Sequence, residues 1–120
     1  MATISEDYVS FETAKLLKEK GFDQNYATYY LDGQVWRHYH GEVIPKGKQI
    51  YAAPTQAVVM KWLREVHKLY ITISHRFSHN ADQDVCFSYY INIDTAEDGE
   101  YMTYEEACEA AIKYCLENLI

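Results

Sequence analysis

The chain is poor in the residues that build special chemistry. Five glycines in 120 residues leave little for a loop that cradles phosphate, and none of GxGxxG, the P-loop pattern or GxSxG occurs. Three cysteines, Cys86, Cys108 and Cys115, make an odd number, and no two have CxxC spacing. That pattern argues against a disulfide framework and against a cysteine zinc site. No apolar run approaches the ~20 residues of a membrane span, and the polar, acidic N-terminus does not read as a signal peptide. No repeat, low-complexity tract or linker stands out. The expectation is a cytoplasmic protein of one domain, whose cysteines act as small apolar residues in a reducing compartment. A chain of this length can bury roughly two-thirds of its unfolded surface without a staple.

Tyrosine is abundant: twelve residues. Its apolar body and polar tip suit half-buried sheet faces and binding surfaces equally. Charge is uneven. From Asp94 to Ile120 there are eight acids and one base, whereas Arg37 to Arg76 carries seven bases against Glu42 and Glu65. Overall the chain is acidic, at −7, which disfavours a nucleic-acid binder.

The first helix is expected to open at Ser10, whose hydroxyl can cap free amides. Phe11, Ala14 and Leu17 share one face, and Gly21 closes the helix with Phe22 folding back. Tyr26–Leu31 and Gln34–His40 read as a hairpin about Asp32-Gly33, followed by a turn-rich stretch from Gly41 to Lys48. Pro54 fits the first position of a second helix reaching Lys68, with Val58, Val59, Trp62, Leu63 and Val66 as its apolar stripe. Tyr70–Ser74 and Val85–Asp94 alternate as strands, Phe77 to Asp84 reads as a loop, and Ala96 to Gly99 as a turn. Thr103 opens the last helix in a capping box with Glu106. Its inward stripe is Ala107, Cys108, Ala111, Cys115 and Leu119, flanked by Ile112 and Leu116. The fold class is α+β, in the order α-β-β-α-β-β-α, with helices packed on a small antiparallel sheet.

Three functional readings compete. The hairpin gathers Tyr29, Tyr30, Trp36 and Tyr39, residue types favoured at interfaces. They point to an accessory module that binds a protein partner or a second copy, without a cofactor. Lys61, Arg64 and Lys68 on the second helix could instead contact phosphates, in a salt-dependent way. His38 and His40 share a strand face and could hold a metal for hydrolysis, with His75, His79, Asp82 or Asp84 as companions. His67 reads as a favourable helix C-terminal charge. Cys108 and Cys115, seven apart on a helix, read as inert core.

The run Tyr51-Ala52-Ala53-Pro54-Thr55-Gln56, then Lys61-Trp62-Leu63-Arg64-Glu65-Val66-His67, and the ending Thr103-Tyr104-Glu105-Glu106-Ala107 resemble a group of small proteins. Those proteins are encoded in gut Bacteroides-type bacteria and their phages or prophages. The resemblance runs from about Tyr51 to the C-terminus. It implies a phage-related origin and a cytosolic setting, and carries over no catalytic residue.

Overall fold

The computed structural model describes residues 7–22, 29–31, 34–36, 50–77, 85–92 and 95–120. At 29, 31, 34–36, 50 and 95–99 it describes the backbone alone. The chain divides into two compact units, Met1–Thr55 and Gln56–Ile120. Each mixes helix with antiparallel sheet, so the class is α+β as expected.

In unit 1, Tyr8 bridges Thr55, and the Val9 amide donates to the Pro54 carbonyl at 3.0 Å. Ser10 caps α1 (Phe11–Glu19), its hydroxyl accepting from the Thr13 amide at 3.2 Å. Thr13, Ala14 and Leu17 are the buried residues of this helix. At its far end Gly21 adopts φ +92°. The Phe22 amide then reaches the Leu17 carbonyl at 2.9 Å and the Gly21 amide reaches that of Lys18 at 3.3 Å. These two bonds satisfy carbonyls the helix would otherwise orphan.

The sheet of unit 1 has the order β2-β1-β3, from β1 (Tyr29–Leu31), β2 (Gln34–Trp36) and β3 (Ile50–Ala52). Leu31 pairs with Gln34, which leaves only positions 32 and 33 between the strand ends. The hairpin signal of Asp32-Gly33 requires that spacing. The expected extensions at 26–28 and 37–40 lie outside the described residues. The sequence reading has no counterpart to β3. Three residues are too few to show an alternation, and β3 is defined by pairing with β1, as in Tyr30 with Tyr51.

Unit 2 opens with α2 (Gln56–Val66). Pro54 is therefore not its first residue: Pro54 and Thr55 are occupied by the extended pairing with Val9 and Tyr8, so the helix starts at Gln56. The Gln56 amide nitrogen donates to the Glu105 carbonyl at 3.0 Å and to Glu109 Oε2 at 3.3 Å. Val59, Trp62 and Leu63 are buried, whereas Val66 is exposed. The helix ends short of Lys68, which takes φ +59° and lets the Leu69 amide close on the Leu63 carbonyl at 3.0 Å.

A meander follows: β4 (Ile71–Phe77), β5 (Val85–Ile91) and β6 (Thr95–Tyr101), in that order. Two expectations change here. Phe77 closes β4 instead of opening a loop, because it pairs with Val85. Residues 96–99 belong to β6 rather than to a turn. Ala, Glu, Asp and Gly are poor strand formers, and pairing with β5 overrides that preference. Between β5 and β6 the register slips: Phe87 faces Tyr101, yet Tyr89 faces Glu97. Asn92, at φ +55°, clamps Tyr70 from both sides. Its Oδ1 accepts from the Tyr70 amide at 2.7 Å, and its own amide donates to the Tyr70 carbonyl at 2.9 Å.

Thr103 caps α3 (Tyr104–Tyr114), accepting from the Glu106 amide at 3.1 Å. The Glu106 carboxylate reaches back to the Met102 amide at 3.2 Å. Thr103→Ala is expected to lower the stability of unit 2 by about 1 kcal/mol, read from the urea midpoint at unchanged slope. The helix lies across the sheet and buries Ala107, Cys108, Ala111 and Ile112, then Cys115 and Leu116. Small residues at 107, 108 and 111 permit that close approach. The last turn, Cys115–Leu119, is π-helical. Its wider winding carries Leu119 out of the inward stripe, so that residue is exposed instead.

Candidate functional site

The residues singled out in the sequence have different fates. Tyr29 and Trp36 sit directly opposite each other in β1 and β2. Tyr30 is only 8% exposed. Its hydroxyl donates to the Val9 carbonyl at 2.6 Å, and its ring meets Phe11 edge-on at 5.4 Å. Tyr30 is thus occupied inside unit 1. Tyr39, His38, His40, His79, Asp82 and Asp84 lie outside the described residues. Phe11 also meets Tyr51 at 5.6 Å, and the Lys18 ammonium lies 5.0 Å above the Tyr51 ring. Lys15, Lys18, Glu19 and Tyr51 line a shallow depression of about 350 Å³. Its mixed charges and its ring-bound lysine make it a packing detail of the helix surface.

On unit 2, Lys61 and Arg64 are exposed along α2. Lys68 has left the helix, and its ammonium donates to the Glu65 carbonyl at 3.1 Å, capping the helix C-terminus. The three cations therefore do not form one helical stripe. His67 packs its ring against Trp62 at 4.6 Å. Its Nε2 is buried without a hydrogen-bond partner among the described residues. Among the described residues there is also no group of three His, Cys, Asp or Glu placed to hold a metal. No described helix is long and apolar enough to cross a membrane.

All three cysteines are buried, and none is in a disulfide. Burial raises the Cys115 thiol to about 12, so it stays protonated and unreactive near neutrality. Because the folded value lies above the ordinary value of 9.0, this thiol's contribution to stability is present below pH 9. It fades as pH rises from 9 toward 12. Native protein at pH 7.5 is expected to resist iodoacetamide at Cys115 and to take up the label only on unfolding. Mass spectrometry after timed quenching reads this directly.

One region gathers exposed apolar side chains. α3 covers only part of the sheet face beneath it. Tyr89 meets Tyr114 at 6.4 Å, and Phe87 meets Tyr104 edge-on at 6.2 Å. Phe87 thus lies beneath the first residue of the helix. The sheet continues past that point by one pair, Phe77 and Val85, on the same face. The pair protrudes beyond the helix, with Phe77 69% and Val85 43% exposed. Met102 and Tyr104, flanking the cap residue Thr103, are 69% and 47% exposed. Exposed His75 stands beside Phe87, at 6.5 Å. The Tyr104 hydroxyl is held protonated: burial raises it first, then its hydrogen bond and proximity to Cys108, and the charge of Glu105.

The result is an apolar shelf at one end of the sheet, bordered by the exposed acids Glu105 and Glu106. Such a surface offers apolar contact area. The sequence reading placed Phe77 in a loop and Val85 at the start of an alternating strand. The signal that could have revealed the shelf is the position of Thr103, which fixes where helical cover begins. Comparison with protein-family models, curated proteins and solved structures finds no match.

Proposed function

We propose that this chain is a non-enzymatic protein-binding or accessory module of the cytosol. The observation that carries the reading is the uncovered shelf of Phe77, Val85, Met102 and Tyr104. Contiguous exposed apolar groups of this kind mark protein contacts, with aromatic and Met side chains as anchors. Three buried cysteines outside any disulfide accord with a reducing compartment. The likeness of the second-helix and C-terminal segments to phage-associated proteins supports a phage-related origin.

The test compares wild type with Met102→Ser/Tyr104→Ser in affinity capture from the native host lysate, with nuclease added to half of each sample. A stoichiometric protein that survives nuclease and is lost from the double variant is the expected result. Capture unchanged by the substitutions rejects the shelf. Capture that disappears only with nuclease assigns binding to nucleic acid instead, through the side chains of Lys61, Arg64 and Lys68.

A further inference from the structure

The two edges of the unit 2 sheet differ in a way that bears on partner choice. The β6 edge is blunted: its register slips against β5, and it carries Glu97, Asp98, Gly99 and Glu100. Bulges and charges of this kind discourage a further strand. β4 has neither a register slip nor a run of acids, and its one formal charge, Arg76, is paired with Glu100 at 3.0 Å. It pairs with β5 without interruption from Ile71–Ile91 to Phe77–Val85, and its sequence ITISHRF contains no Pro, Gly, Lys or acid. Among the described elements β4 packs on β5 and α3, and its other edge has no strand partner among the described residues.

The β4 sequence is also compatible with itself. Antiparallel partners must point to the same face, which restricts the allowed registers. The register centred on Ser74 lets all seven residues pair. Ile71 then faces Phe77 of the second copy, Thr72 faces Arg76, Ile73 faces His75, and Ser74 faces itself. No like charges meet, and exposed Phe77 is covered by an isoleucine. Other registers in this family pair fewer residues or leave Phe77 open.

We infer that two copies of this chain associate along β4 in an antiparallel, two-fold arrangement centred on Ser74, forming one six-stranded sheet. The inference deepens the protein-binding reading by naming a second copy as the occupant of the β4 edge. The contact is isologous, so it closes after two copies. Val85 on β5, Tyr104 at the start of α3 and Met102 just before its cap lie away from β4 and remain available to a different protein.

The register makes the test specific. Directly opposed residues of an antiparallel pair have Cα atoms about 4.5–5.5 Å apart, within the reach of a disulfide. Ser74→Cys in the full chain, treated with diamide, should form a covalent dimer, as two thiols lose their hydrogens to the diamide. Thr72→Cys should stay uncrosslinked, because it faces Arg76 of the other copy and not itself. The native cysteines are buried and contribute little background. Sedimentation of wild type should show a dimer that dissociates on dilution. A wild type monomeric at its highest soluble concentration overturns the pairing, as does a Thr72→Cys variant that crosslinks as fast as Ser74→Cys. If host-protein capture in such a monomer still depends on Met102 and Tyr104, only the pairing falls. If that dependence is missing too, the binding reading falls with it.

Discussion

Ile112→Ala is expected to destabilise unit 2 by about 3 kcal/mol. Ile112 is fully buried on α3. Its neighbours along the helix stripe are Ala107, Cys108 and Ala111, whose small side chains let the helix approach the sheet. Ile112 and Leu116 therefore supply most of the apolar volume on this side. Tethered by the Thr103 cap and by the bonds of Gln56 to Glu105 and Glu109, the helix has little freedom to sink into the space left by truncation. The lost transfer energy and the cavity term then add. Urea unfolding followed by far-ultraviolet circular dichroism reads the change as a lower midpoint. Ile112→Val should lose about 1 kcal/mol on the same scale.

Tyr30→Ala is expected to cost unit 1 about 3–5 kcal/mol, and Tyr30→Phe about 1 kcal/mol. Tyr30 sits on the central strand of its sheet, with its ring against Phe11 and its hydroxyl on the Val9 carbonyl. The same Val9 donates its amide to Pro54. Tyr30 therefore ties the N-terminal segment to the sheet, and its removal should loosen both. Hydrogen exchange would show this as faster exchange at Val9 and across α1. Phe keeps the ring and loses the hydroxyl, which separates packing from hydrogen bonding. A Tyr30→Phe protein as stable as wild type would mean that the short bond contributes nothing net.

Helix ends were the most legible part of the sequence. Ser10, Gly21 and Thr103 mark boundaries that the structure keeps, because a cap needs only local chemistry. Strands were legible where they alternate, as in β5, and hidden where pairing with a neighbour creates them. β3 is too short to display a period, and TAEDGEY in β6 has the composition of a turn. The start of α2 was misplaced because Pro54 has a second use, in the extended pairing with Val9. The shelf was illegible for a related reason. Exposure of Phe77 and Val85 depends on how far α3 reaches along the sheet: Thr103 marks where the helix begins, but which strand positions lie beneath that point is a tertiary fact. The sequence drew the eye to tyrosines, and Tyr30 shows why that signal is ambiguous: a core position and an interface favour the same side chain.

The central claim is that the open end of the unit 2 sheet is a protein contact. The most direct measurement is site-specific photocrosslinking in the native host, with p-benzoylphenylalanine in place of Tyr104 and, separately, of Lys61. The expected result is a discrete protein adduct at position 104 after irradiation and none at position 61, which lies on exposed α2 surface. No adduct at position 104, or the same adduct at both positions, would contradict the account.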